Sequence, residues 1–101
     1  SYTKKIIMIK KPNDLLIENK KICGILQEIV DHNNKKFLIT GIGLNTNSVP
    51  NNFKLTSTCL NDHTEKNIKN FNIIKSLKKS YEKMICDLNN NNFTYIKNKY
   101  I

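Results

Sequence analysis

The sequence predicts an α+β domain: a mixed, largely antiparallel sheet with a long helix packed on it. Three observations predict this. Short apolar runs separated by Pro, Asn, Asp and Lys clusters fill residues 4–44 and read as strands joined by tight connections. Residues 45–58 are a polar Asn/Ser/Thr stretch broken by Pro50, the kind of long loop that tends to carry function. From residue 67 the apolar spacing changes to three and four, the mark of an amphipathic helix.

The elements follow in order. Residues 4–10, KKIIMIK, are apolar at the centre and read as a strand buried on both faces. Pro12 ends it, with Lys11 held extended before the ring. Leu15–Glu18 is a short second strand and Lys21–Val30 a third. Simple alternation sets Ile22, Gly24, Leu26 and Glu28 on one face of the third strand and Cys23, Ile25, Gln27 and Ile29 on the other. Asp31–Lys36 has no apolar residue and reads as a turn. Phe37–Leu44 is a fourth strand, interrupted by Gly41 and Gly43. Asn61 or Asp62 caps a short turn. Ile68, Phe71, Ile74, Leu77, Tyr81, Met84, Ile85 and Leu88 then mark a helix near 67–88 whose apolar stripe is core. Asn89–Asn92 stop it, and Phe93–Ile101 form a closing helix with Tyr95, Ile96 and Tyr100 packing back.

The 101 residues suit one small domain with a modest core, with strands over about 4–44, a ligand loop over 45–60 and helices over about 62–101. The formal net charge is +9, carried entirely by lysine and scattered along the chain. Surfaces that read phosphate backbones recruit arginine for its planar fork, so a nucleic-acid partner is disfavoured. The same excess can still attract small anions or an acidic protein. No stretch is long and apolar enough to span a membrane, and no signal-peptide pattern opens the chain at Ser1. The odd count of cysteines, Cys23, Cys59 and Cys86, at no regular spacing favours reduced, buried thiols and a cytoplasmic or organellar protein.

Residues 10–28 have the punctuation of a site. A Pro12-Asn13-Asp14 turn separates two apolar runs, and a polar break at Glu18-Asn19-Lys20 precedes a run that opens on Lys21 and contains Gly24. A hairpin there brings Asp14 and Lys21 close together beside backbone left bare by Gly24. An ordinary surface hairpin with an exposed ion pair has the same pattern. Gly41 and Gly43 leave one face of their strand bare, which suits a flat ligand, a bulge or close sheet packing alike. Asn45, directly after them, is a turn residue or a ligand donor. His32 reads as solvated. Cys59 and His63, four apart, lack the further ligands of a zinc site and the oxyanion donors of a Cys-His nucleophile, so no metal site is expected.

These stretches also carry a resemblance. Lys10-Lys11-Pro12-Asn13-Asp14-Leu15 resembles the KWPNDL motif of biotin protein ligases (holocarboxylase synthetases). Lys21-Ile22-Cys23-Gly24-Ile25-Leu26-Gln27-Glu28 resembles that family's KxxGIL(x)E strand at the family's spacing. Gly41-Ile42-Gly43-Leu44-Asn45 resembles its GIGIN motif, and Pro50 with Thr56-Ser57-Thr58-Cys59-Leu60 its P…(A/T)TSL segment. The four occur in the family's order and span nearly the whole chain.

The resemblance implies a class II aminoacyl-tRNA-synthetase-like core and a two-step reaction. Biotin and Mg-ATP give biotinyl-5′-adenylate, and biotin then passes to one lysine of a carboxylase carrier domain. By position in the motifs, Lys21 matches the catalytic lysine and Asp14 the motif's aspartate, expected to orient or deprotonate the acceptor lysine. Gly24, Gly41 and Gly43 would admit biotin, Asn45 would contact the adenylate, and Asn13 and Lys10 would fix the turn and the nucleotide side. Two departures stand out. Lys11 replaces the motif's tryptophan. The family's GRGRxG loop, its upstream strands and helices and its small C-terminal β-barrel have no counterpart in these residues, which contain no arginine. The chain therefore reads as the second half of a ligase catalytic domain, expected not to complete the reaction without the other half. The alternatives are a non-catalytic, degenerate ligase-like binding module and, on charge alone, a basic nucleic-acid binder.

Overall fold

The computed structural model describes residues 3–100. The chain divides into two compact units, Ser1–Ile68 and Lys69–Ile101. The first is built on a four-stranded sheet in the order β1-β2-β3-β4. Its strands are β1 (Ile7–Lys10), β2 (Asp14–Ile17), β3 (Lys20–His32) and β4 (Lys35–Leu44). Every neighbouring pair is antiparallel, and the isolated bridge between Lys21 and Ser57 is parallel.

The turn chemistry sets the register. Glu18 (φ 51°) and Asn19 (φ 64°) join β2 to β3, and Asn33 (φ 50°) and Asn34 (φ 62°) join β3 to β4. Positive φ at both central residues gives the mirror-image turn whose twist matches its flanking strands, and asparagine tolerates that conformation. Because such a turn needs only two residues, Asp31–Lys36 is not all turn: pairing continues down to His32 and Lys35. The β1–β2 connection, Lys11 to Asn13, closes across the Lys10–Asp14 pair and contains a cis Lys11–Pro12 peptide.

The core of this unit is small. Ile17, Ile22, Cys23, Cys59 and Leu60 are buried, together with the polar Thr58. Each buried aliphatic side chain contributes about 1.5–3 kcal/mol of transfer free energy. Three expectations need correction. The KKIIMIK strand is not buried: Ile9 is 74 % exposed and Met8 56 %. It lies at the sheet edge. It also starts late, because the Thr3 hydroxyl accepts from Lys5 N–H at 3.1 Å and draws residues 3–5 into a bend. Gly41 and Gly43 do not interrupt β4, which pairs through both, and neither has a positive φ. Cys86 is exposed, unlike Cys23 and Cys59.

The 45–58 segment is a loop as expected, but a tied one. It contains a 3-10 turn at Asn51–Phe53, and another follows at Leu60–His63. The second has no side-chain cap, so neither Asn61 nor Asp62 caps it. Asn61 instead grips the chain further on, its Oδ1 accepting from Ile68 N–H at 2.8 Å.

The second unit holds α1 (Asn70–Asn90) and α2 (Phe93–Tyr100). Its apolar stripe is narrower than the sequence suggests. Ile73 is buried and Leu77, Tyr81 and Met84 half-buried, whereas Phe71, Ile74, Ile85 and Leu88 are exposed. Ile68 precedes the helix altogether. The asparagine run ends α1 as expected. Asn91 Nδ2 donates to the Asp87 carbonyl at 3.0 Å, and Asn92 Oδ1 accepts from Tyr95 N–H at 2.9 Å to open α2. In α2, Ile96 is buried but Tyr95 is 44 % exposed. The Tyr100 side chain and Ile101 lie outside what is described.

Candidate functional site

The site begins with one extra residue in β3. Asp14 pairs with Gly24 and Leu15 with Cys23, but Leu16 pairs with Lys21, so the register slips between Leu15 and Leu16 and Ile22 has no partner of its own on β2. A bulge of this kind resets the alternation of side chains. By simple alternation Lys21 and Gly24, three apart, face opposite sides of the sheet. The bulge brings them to the same side. A Cβ built on Gly24 would lie 3.2 Å from both Cε and Nζ of Lys21. Ile22, which alternation groups with Gly24, is instead buried, as is Cys23.

Lys21 Nζ lies 3.2 Å from Asp14 Oδ1, with the two side chains 46 % and 26 % exposed. Gly43 lies opposite Gly24 in the β3–β4 register, and Gly41 lies opposite Leu26. These residues border an open groove of about 850 Å³, lined also by Asn13, Ile25, Ile42, Leu44 and Asn45. Its floor is backbone: a methyl at Gly41 would meet only the Leu26 carbonyl oxygen at 3.9 Å, and one at Gly43 only the Gly24 carbonyl oxygen at 3.8 Å. A floor without side chains beside an ion pair suits a ligand that lies close against backbone and carries an anionic group.

Every site residue singled out in the sequence except Lys10 borders this groove. Lys10 pairs with Asp14 across the β1–β2 hairpin, but is not among the lining residues. Asn45 ties the site's far end: its N–H donates to the Ile22 carbonyl at 2.9 Å, its carbonyl accepts from Leu60 N–H at 2.8 Å, and its Nδ2 donates to the Thr58 carbonyl at 3.2 Å. Among the described residues that line the groove, Asp14 is the one carboxylate, and Lys21 already engages it. Among the described residues, no three His, Cys, Asp or Glu side chains converge as metal ligands. With Asp14 as its carboxylate, the groove's described lining does not by itself make up the oxygen cage that a resident Mg²⁺ requires.

Sequence reasoning missed what holds Lys21 from behind. Its N–H donates to the Thr56 carbonyl at 2.9 Å, and its carbonyl accepts from Thr58 N–H at 2.8 Å. The Thr-Ser-Thr run, read only as loop and motif, is thus a short strand-like strap along β3. Burial pushes the thiols of Cys23 and Cys59 above their ordinary value, aided at Cys59 by Asp62. Both thiols are therefore poor nucleophiles.

Comparison with known proteins bears on this groove. Residues 1–45 match the Biotin/lipoate A/B protein ligase family. That span holds Lys10, Asn13, Asp14, Lys21, Gly24, Gly41, Gly43 and Asn45. The chain is 36% identical over 94 residues to the bifunctional ligase/repressor BirA of Bacillus subtilis (strain 168), which covers 88% of this chain and 29% of that protein. It is 34% identical over 94 residues to the bifunctional ligase/repressor BirA of Bacillus spizizenii, with the same coverage of 88% and 29%. The chain thus spans 29% of the length of these curated relatives.

Proposed function

The chain belongs to the Biotin/lipoate A/B protein ligase family, and from that premise we propose that its groove is the biotin and nucleotide wall of a biotin–protein ligase. The observation that carries the reading is the Lys21–Asp14 pair set beside a glycine floor. Biotin has a compact bicyclic ring system, a polar ureido ring fused to an apolar thioether ring, and a carboxylate tail on an alkyl chain. The floor suits the rings and Lys21 suits the tail.

In the first step a biotin carboxylate oxygen bonds to the α-phosphorus of Mg-ATP and the bond to pyrophosphate breaks. Two anions must approach, so a cation at their meeting point lowers the barrier. Lys21 can move to that point at little cost. Its pairing with Asp14 is half-exposed, and such pairs are worth about 0–1 kcal/mol. A charge-assisted hydrogen bond to a desolvated anion is worth about 1.5–3 kcal/mol. In the second step the amine of an acceptor lysine bonds to the biotinyl carbonyl carbon and AMP leaves. Asp14, released from Lys21, orients that amine and takes its proton. The acceptor is a carrier domain of a carboxylase.

These residues contain no arginine and no Gly-Arg-Gly-Arg run. They therefore supply one wall of a site that other parts of a ligase complete, with little turnover on their own. That same feature favours the second reading, a binding module without catalysis. Biotin-dependent exchange between ATP and pyrophosphate separates the two. The enzyme reading requires exchange in the longest form of the protein and its loss in Lys21→Ala. Biotin binding without exchange in any form supports the module, and neither binding nor exchange rejects both.

A further inference from the structure

His63 joins three separate stretches of the first unit. Lys5 Nζ lies 2.9 Å from its Nδ1 and 2.9 Å from Glu18 Oε1 in the β2–β3 turn. An ammonium has only donors, so Nδ1 is the acceptor in that contact and Nε2 is left to serve as the ring's donor. Nε2 then donates to Thr58 Oγ1 at 2.8 Å. The backbone of His63 is held too, its carbonyl accepting from the Thr3 hydroxyl at 2.7 Å. Thr58 is 8 % exposed, and its N–H is the donor to the Lys21 carbonyl.

We infer that His63 and Thr58 are positioning residues for Lys21. The β4 ladder ends at the Cys23–Leu44 pair, so it does not reach Lys21. Among the described residues, only the strap at Thr56–Thr58 bridges that edge of β3 at Lys21. A bulge disrupts the ladder beside it and leaves a residue unpaired. The strap supplies hydrogen bonds to Lys21 there, and the imidazole holds the strap through the hydroxyl of the buried Thr58. The ammonium can then meet Asp14 and the groove from a fixed backbone. Its bearing on catalysis rests on the reading of Lys21 given above, while the mechanical claim does not.

Amide hydrogen exchange by NMR on the full chain tests it. His63→Leu and Thr58→Val are expected to speed exchange at the Lys21 and Thr58 amides by on the order of tenfold while the Glu28 and Ile39 amides, which face each other across the β3–β4 ladder, keep their rates. His63→Gln keeps an N–H donor near the Nε2 position and Thr58→Ser keeps the hydroxyl, so both are expected to stay within about threefold of the parent. Unchanged exchange at Lys21 in the first two variants overturns the inference. So does an equal rise along the whole β3–β4 ladder, which is the sign of general scaffolding, or failure of the conservative pair to rescue. The two readings fail separately. Lys21→Ala that leaves adenylation intact removes the functional reading and leaves the exchange result standing.

Discussion

A methyl group on Gly24 would lie 3.2 Å from both the Cε and Nζ atoms of Lys21. The absent side chain is what gives the ammonium its seat beside Asp14. Gly24→Ala should therefore move Lys21 rather than the sheet, because the crowded atoms are the far end of a flexible chain. The expected outcome is a fold of near-parent stability with adenylate formation reduced on the order of 10²-fold, the typical result of misplacing a working group by about 1 Å. Denaturant melts and pyrophosphate exchange, made on the same ligase form, read the two effects apart.

Gly41 and Gly43 predict a different split. Their built Cβ atoms meet only backbone oxygens at 3.9 Å and 3.8 Å, and neither residue has a positive φ. Alanine there fits the strand and reduces the freedom of the unfolded chain, a gain of about 0.4–1 kcal/mol. The same methyl groups rise from the floor of the groove. Each variant should melt later yet bind biotin more weakly, by on the order of tenfold per buried clash. Calorimetry with biotin beside urea titrations checks both signs, and a stabilised variant with unchanged biotin affinity counts against a ligand on this floor.

Lys21 and Asp14 should separate the two chemical steps. In an active ligase that contains these residues, Lys21→Ala is expected to lower adenylate formation by about 10²–10³-fold, the scale of losing one charge-stabilising donor. Asp14→Asn keeps the shape and loses the base, so transfer to a carrier-domain lysine should fall more than adenylation does. Single-turnover assays starting from synthetic biotinyl-adenylate isolate the second step.

Much of this groove was legible because it depends on residue types at fixed spacing. Strand runs, glycines and the Asp14 and Lys21 pair all lie in short stretches, and the family motifs bring them together in order. The bulge at Ile22 was not legible. Alternation counts every residue once, and nothing in Lys-Ile-Cys-Gly announces which one is skipped by the partner strand. Burial of β1 was misread for a related reason. Ile-Ile-Met-Ile reports how apolar a strand is, not whether anything covers it, and here it is the exposed edge. The His63–Thr58–Lys21 chain was invisible because it joins residues 5, 18, 21, 58 and 63 through folding alone.

Stability should fall at both ends of the pH scale for separate, named reasons. At the acid end, a hydrogen bond from Lys5, and then its charge, hold the Glu18 carboxyl below its ordinary value of 4.5. A depressed native value means the unfolded chain takes up the proton first. The contribution of Glu18 is therefore complete above pH 4.5 and disappears as the pH drops through the native value, and Glu18→Gln should flatten that acid limb. At the alkaline end the sign reverses. Burial raises the thiols of Cys23 and Cys59 above 9.0. Above that pH the unfolded chain releases protons that the native state keeps, so each thiol removes up to about 1.4 kcal/mol per pH unit between the two values. The loss begins near pH 9, where the unfolded thiols start to ionise. Urea titrations from pH 8 to pH 10 should show the decline. Cys23→Ala and Cys59→Ala should each start from a lower stability, because a buried side chain is truncated, and yet decline less steeply. If the parent and both variants share one slope over this range, the native state does not hold those protons and the thiols are not as enclosed as the fold requires.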